Sequence, residues 1–392
     1  MYYAICEIEI ELNMKVVIAI DSFKGSLSSP ELSRHISDGI RNVFPDAEII
    51  SLPVADGGEG TVEALVHGTG GKIVECTVND PLMRPVKAKY GILGDGTTAV
   101  IEMAEASGLP LLKEKERNPL NTSTFGTGEL IKDALSNGCR EFIIGIGGSA
   151  TNDLGMGMIQ ALGGQFFDIS GNELSGMGKA MTDVENIDLS EILPELKESN
   201  FTIACDVDNP LYGKNGAAYV YAPQKGADEK MVIQLDNGLR SLSEKIKIQL
   251  GKDISDIPGA GAAGGLGGAF VAFLDAKLKP GIEIVLNTLD FEKKIENADV
   301  VVTGEGRIDA QSVMGKAPVG VAKRCSKKNI PVIAFAGSLA DDASETHAHG
   351  ITTLFSIMNY PITLEEAMKA ETTSMLIQKN TEEVFRLIKA FK

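Results

Sequence analysis

The sequence holds no cysteine pair, no basic tract and no apolar run of the ~20 residues that a membrane-crossing helix needs. Its longest apolar stretch, residues 259–274, is too short and too rich in glycine to span a bilayer. Cys6, Cys76, Cys139, Cys205 and Cys325 stand singly with no CxxC, which fits reduced thiols in the cytoplasm. Four histidines leave little imidazole for acid–base chemistry, and no Ser-His-Asp or Cys-His arrangement emerges. His347 and His349 read as a solvated loop rather than a metal site. A formal net charge of −17 argues against a nucleic-acid partner, because phosphate-backbone binding needs a basic face. A small anionic substrate stays compatible, since a few local cations and a metal reverse the potential inside a cleft. No GxxxxGK[ST] occurs, so this is not a P-loop enzyme. The opening MYYAICEIEIELN lacks the basic start and clean apolar core of a signal peptide. Ile8, Ile10 and Leu12 alternate with glutamates as an edge strand would, and residues 1–13 read as an extension outside the fold.

What is present is glycine, placed with a purpose. At 392 residues and 43% hydrophobic, the chain is long and apolar enough for two domains. Its 43 glycines cluster where β-like runs end. Residues 16–20 end in DSFKGS, 49–52 lead to ADGGEGT, 142–146 run into GGSATND, 201–204 into DVD, and 300–302 into TGEGRID. In open α/β sheets, ligands sit beyond the carboxyl ends of the strands. Bare backbone N–H groups hold anions there, and clustered carboxylates hold Mg²⁺. Oxyanions with a hard metal are the chemistry of phosphoryl transfer.

The chain alternates strand and helix from residue 14 to about 68 and again from about 298 to its end. Three-residue branched runs such as Val300-Val301-Val302 suit strands buried on both faces of a parallel sheet. KIVECTV, VKAKYGI and AVIEMA, joined by short turn-rich connections, read instead as antiparallel neighbours. The expected class is α/β, with a flavodoxin-like or Rossmann-like domain built from residues 14–68 and 287–392. A mixed α/β domain over 69–286 is inserted into it.

In the first loop, Lys24 suits an anionic substrate group or a γ-phosphate and Asp21 a base or metal ligand; a capped surface turn is the alternative. In ADGGEGT, Asp56 faces the expected cleft, while Glu59 and Thr61 also suit a helix start. Gly147, Gly148, Ser149 and Thr151 form the best phosphate cradle. Residues 258–264 (PGAGAAG) satisfy GxGxxG through Gly261 and Gly264, but no strand precedes them, as a dinucleotide fingerprint requires. They either admit a nucleotide or let two helices pack closely. Asp206 and Asp208, two residues apart, would share one face of an extended segment and suit Mg²⁺, or else merely form a turn before Asn209-Pro210. Gln224-Lys225-Gly226 adds one cation. Gly304, Arg307 and Lys316 follow the most buried-looking strand, where Arg307 suits a carboxylate or phosphate in bidentate fashion.

Taken together, VVIAIDSFKGSLS, LPVADGGEGT, NPLNTSTFGTGELI, GIGGSATNDLGMGM, CDVDNPLYGKNGAAYVYAPQKGA, PGAGAAGGLG and VVTGEGRIDAQSVMGKAPVGVA resemble the type 1 glycerate kinase family, in order, from Met14 nearly to the C-terminus. The resemblance implies a flavodoxin-like, parallel three-layer domain with a smaller mixed-sheet α/β domain inserted. It implies transfer of the γ-phosphoryl group of ATP to D-glycerate, mostly to 2-phosphoglycerate, with Mg²⁺. Three positions depart from the pattern: Ile20 replaces a proline, Leu154 stands where glycine is usual, and so does Ala222. On this reading the cradle takes the ATP phosphates with the helix that follows it. Asp206 and Asp208 hold the metal, and Arg307, Lys316 or Lys24 neutralises developing charge. Arg307 or Lys24 pairs with the glycerate carboxylate, and Asp21 or Asp56 accepts the hydroxyl proton. The expected partners are these two small molecules, with no nucleic acid and no membrane, and with room for a homo-oligomer. Acceptance by the 3-hydroxyl or by another hydroxy acid is one rival reading. A dinucleotide-dependent oxidoreductase and a non-catalytic organic-acid-binding protein are the others.

Overall fold

The computed structural model of the protein describes residues 14–391, so the expected extension over 1–13 lies outside the described residues. In chain order the strands are β1 (Lys15–Ile20), β2 (Glu48–Ser51), β3 (Lys72–Asn79), β4 (Pro85–Ile92), β5 (Thr98–Glu102), β6 (Glu141–Gly145) and β7 (Gln165–Phe167). They continue with β8 (Asn186–Asp188), β9 (Asn200–Ala204), β10 (Lys277–Lys279), β11 (Val300–Ile308), β12 (Val332–Leu339) and β13 (Thr353–Ser356). The chain divides into two compact units. Among the described residues, one takes the chain from Met14 to Pro53, then Asp290–Val313 and the stretch from Ala317 to Phe391; the other is Val54–Leu289 with Met314–Lys316.

The first unit is a five-stranded sheet in the order β13-β12-β11-β1-β2, every neighbouring pair parallel. Counted within the unit, that order is 2-1-3-4-5, the flavodoxin-like winding. Val16, Ile18 and Ile20 alternate onto one face, where Ile36 and Ile40 of helix Ser29–Val43 meet Leu376, Ile377 and Phe385 of helix Ala370–Phe391. Helix Ala317–Ser326 packs against β1, β11 and β12 as well, through buried Val319, Val321 and Ala322. Branched residues on both sides of each strand are what this burial requires. The winding reverses between β1 and β11, which opens a crevice at their carboxyl ends.

The second unit carries the order β10-β9-β6-β5-β4-β3. β10, β9, β6 and β5 run parallel, while β4 and β3 form the antiparallel meander expected from their short turns. Ile101, Phe142, Ile144 and Ile203 enter a core shared with Leu130, Leu239, Leu266 and Phe270 of the helices. β7 and β8 form a separate two-stranded ribbon.

Three expectations need correction. The junctions fall at Pro53/Val54 and Leu289/Asp290 rather than at residues 68 and 286. Helix Thr61–Thr69 accounts for the shift: Val66 and Val62 settle over Gly91 of β4, so the helix belongs to the mixed sheet. The inserted unit is therefore the larger of the two, not the smaller. Third, TGEGRI does not begin a loop after Val302. β11 continues to Ile308 because β12 continues beside it, in register to Ile308–Leu339.

Candidate functional site

In the first unit, Asp21 follows β1 directly, is buried, and is fastened there when its N–H donates to Gly304 O at 3.0 Å. Its Oδ1 accepts the N–H of Ser22 at 2.6 Å. The chain then turns on itself, Phe23 and Leu27 exchanging backbone hydrogen bonds around Gly25 at φ +77°. That turn projects Lys24 into solvent. A methyl placed on Gly306 would lie 3.7 Å from Phe23 Cα and 3.9 Å from Lys24 N, so the first loop runs beside the end of β11. Arg307 is exposed there, with Nε 3.6 Å from Asp309 Oδ2. Glu305, by contrast, turns inward and accepts the hydroxyl of Ser312 at 2.5 Å. Asp21, Lys24 and Arg307 thus share the carboxyl edge at the switch between β1 and β11. Gly304 has a different reason to be bare: a Cβ there would meet Phe335 O of β12 at 2.1 Å. Its place in the sheet is explained by strand packing alone.

In the second unit, four parallel strands point their carboxyl ends at one edge. Asp56-Gly57-Gly58, the loop after β6 and the start of helix Gly281–Thr288 interlock there. A Cβ on Gly145 would meet Gly57 O at 2.3 Å, and one on Gly281 would meet Asp56 O at 1.9 Å. Asp206 Oδ1 accepts the Gly281 N–H at 2.9 Å. Part of Asp206 is open to solvent, yet desolvation of its carboxyl pushes the pKa up to about 6, with the charge of Asp56 adding to the rise and the Gly281 bond opposing it. The acid whose charge adds to this rise is Asp56 rather than Asp208, although Asp206 and Asp208 are both exposed as whole residues. Two aspartates joined through the start of one helix are a hard oxygen donor set, and such a pair fits Mg²⁺. Among the described residues no group of three or more histidine, cysteine, aspartate or glutamate side chains is arranged to hold a metal. Gly315, which precedes Lys316, approaches Asp206 Oδ1 to 3.9 Å when given a Cβ.

Gly147 and Gly148 are exposed, and Gly148 takes φ +73°, a conformation that glycine adopts without strain. Behind them Ser149 and Thr151 are buried. The helix after the loop offers no anion site. Asp153, wholly buried, already accepts the N–H groups of Gly155 and Gly157 at 3.3 Å, together with Thr124 N and Oγ1. Burial pushes the pKa of Asp153 up despite these donors. Leu154, next along, stands at φ +47°, the left-handed backbone that explains why glycine is the residue expected there.

The GxGxxG match dissolves in three dimensions. No strand precedes it, and Ala263, Gly264 and Gly265 all have positive φ at the start of helix Ala262–Leu274. A Cβ on Gly261 would meet Pro210 O, and one on Gly264 would meet Thr151 O, each at 2.2 Å. Close backbone packing accounts for both glycines, which removes the basis for a dinucleotide enzyme. Near the C-terminus, His347 Nδ1 lies 2.9 Å from Ile351 O, a local backbone contact.

Two residues at the second unit's edge escaped the sequence reading. Glu102 ends β5, accepts the Val62 N–H at 2.9 Å, and has its pKa pushed up to about 7, mainly by burial. Its signal was a carboxylate closing an apolar run. The short turns around β4 made β5 look like a meander strand, whereas its other edge pairs in parallel with β6. Lys225 is the second, read from sequence only as a nearby cation. It is 1% exposed beneath the cradle.

The glycerate kinase family model matches residues 16–389. The chain is 52% identical over 356 residues to the glycerate 2-kinase of Escherichia coli K12, covering 91% of this chain and 93% of that protein. It is 49% identical over 379 residues to the glycerate kinase of Bacillus subtilis 168, covering 97% and 99%. A crystal structure from Salmonella typhimurium LT2, described as a glycerate kinase 2, superposes with a TM-score of 0.89 at 46% identity. That match covers 96% of this chain and 99% of the other. No helix among the described residues is long and apolar enough to cross a membrane. The chain belongs to the glycerate kinase family.

Proposed function

We propose that the protein transfers the γ-phosphoryl group of ATP to the 2-hydroxyl of D-glycerate, in the presence of Mg²⁺, giving 2-phosphoglycerate. One observation carries the reading within this family. The exposed Gly147-Gly148 backbone adjoins the Asp56 loop, a Gly147 Cβ lying 3.7 Å from Gly58 Cα, so a phosphate cradle and a carboxylate pair share one strand edge. The 2-position is favoured by the 52% identity to a protein named glycerate 2-kinase.

Phosphoryl transfer asks a protein for positioning and charge stabilisation rather than covalent chemistry. Gly147, Gly148 and Ser149 hold the phosphates. Asp206 and Asp56 would hold Mg²⁺, which when bound offsets charge on the phosphate oxygens. Asp21, buried and oriented by its backbone bond to Gly304, accepts the proton of the attacking hydroxyl. Lys24 and Arg307 are the cations for the glycerate carboxylate, and Lys316, which follows Gly315 in the chain, adds positive charge. A cytoplasmic setting belongs to the same reading, since Cys76, Cys139, Cys205 and Cys325 are free thiols.

The purified protein with ATP, Mg²⁺ and D-glycerate, followed by ³¹P NMR, should yield a phosphomonoester on C2. A signal on C3 would keep the kinase and move the acceptor hydroxyl. ATP that stays intact with D-glycerate would overturn the proposal.

A further inference from the structure

Lys225 closes the short turn Pro223–Lys225 and lies 1% exposed behind the cradle. Its Nζ donates to Ser149 Oγ and to Thr151 O, both at 2.7 Å. In its charged form Lys225 carries three N–H donors and no acceptor, so Ser149 Oγ is then the acceptor of this bond. The hydroxyl hydrogen of Ser149 is thereby left to donate elsewhere. Two neutral acceptors are poor compensation for a buried charge, which burial alone makes unfavourable. The carboxylate whose charge acts on Lys225, Asp153, already accepts four protein hydrogen bonds. A side chain needed only to fill this space would be a methionine or leucine. Beside the same loop, Thr151 Oγ1 and both side-chain polar atoms of Asn152 are buried without a hydrogen-bond partner. Polar groups so placed are normally satisfied, so the loop is built to receive something polar.

We infer that Lys225 is a positioning residue acting through Ser149: it holds the hydroxyl as an acceptor toward itself, so that the Ser149 O–H donates to a phosphate oxygen of the nucleotide at the Gly147-Gly148 face. This rests on the phosphoryl-transfer reading and deepens it. The ammonium works from behind the loop, touching no substrate. Burial pulls its pKa down to about 7, with Asp153 pulling the other way, so an anion on the far side of the loop would favour its charged form.

The test is a double-mutant cycle of Ser149→Ala and Lys225→Met, read by calorimetric titration with ATP·Mg²⁺ and by separate KM values for ATP and D-glycerate. Wild-type turnover and ATP binding, measured alongside, test the kinase reading itself. The expected result is that each single variant weakens ATP by about tenfold. The double variant should be no weaker than either single, with KM for D-glycerate unchanged. Thermal melting separates folding from function: exchanging a buried charge for a similar apolar volume is tolerated in stability. Should Lys225→Met fail to fold, Ser149→Ala with Lys225→Arg carries the test, because arginine keeps the charge and loses the lysine geometry. Wild-type ATP affinity in Lys225→Met overturns the inference, as do additive losses, or an equal loss for glycerate. A wild-type protein that binds no ATP overturns the kinase reading and the inference together.

Discussion

Asp206 Oδ1 accepts the N–H of Gly281 at 2.9 Å, tying the loop after β9 to the first residue of the helix after β10. Gly281 in turn leaves no room beside Asp56, whose carbonyl a Cβ would meet at 1.9 Å. One glycine therefore meets two aspartates that lie far apart in sequence, Asp206 through its carboxylate and Asp56 through its backbone. Asparagine at position 206 keeps the acceptor for Gly281 and removes the charge. Asp206→Asn is expected to lower kcat by about a hundredfold or more. Stability at pH 8 should be equal or higher, because the pKa raised to about 6 means that ionised Asp206 opposes folding there. Steady-state kinetics and thermal melts at pH 8 check both halves; normal turnover would remove Asp206 from the chemistry.

The glycines fall into two kinds, and one pair of variants separates them. Gly147→Ala places its methyl 3.7 Å from the nearest atom, Gly58 Cα, which is an ordinary contact. It should fold with nearly the wild-type melting temperature and lose activity, since the methyl stands where a ligand would approach. Gly304→Ala drives a methyl to 2.1 Å from Phe335 O between β11 and β12. That variant should lose about 2 kcal/mol or more of stability through strand displacement. Chemical denaturation of both proteins, with turnover measured on the folded fraction, distinguishes them.

Leu154 sits at φ +47° with its side chain wholly buried. Left-handed backbone costs a non-glycine residue roughly 1–2 kcal/mol, whereas deleting a buried leucine side chain costs about 2–5 kcal/mol. The larger effect wins, so Leu154→Gly should destabilise the protein by about 1–3 kcal/mol even though it relieves the backbone. Leu154→Ala should cost more than Leu154→Gly, because it loses most of the packing and keeps the strain. The order of the two urea midpoints decides the matter.

Glu102 gives the molecule a pH-dependent stability of defined sign. Burial raises its pKa from the ordinary 4.5 to about 7 in the folded protein. Its contribution is present below pH 4.5 and is lost as pH rises through 7. Relative to Glu102→Gln, the wild type should lose on the order of 2–3 kcal/mol between pH 5 and 8. Parallel stability curves for the two proteins across that range would show that Glu102 titrates normally.

The order of elements was written locally. Apolar alternation and branched runs marked the strands, and glycine with a carboxylate marked their carboxyl ends, because pleat and turn chemistry act over a few residues. That is why the places of Asp21, Lys24, Asp56, Gly147, Gly148 and Asp206 after strands could be expected from the sequence. Three things could not, and each depends on partners distant in sequence. β11 runs on to Ile308 only because β12 lies beside it. Glu102 reaches the parallel edge only because β5 pairs with β6, which follows a whole helix later. Gly261, Gly264 and Gly304 look like ligand glycines in one dimension and are bare because Pro210, Thr151 and Phe335 press against them. The meeting of Asp56 and Asp206 at Gly281, and of Lys225 with Ser149, belongs to the same class. Sequence sets what each segment prefers to be; close packing, which fixes which backbone atoms touch, decides which of its side chains are left for chemistry.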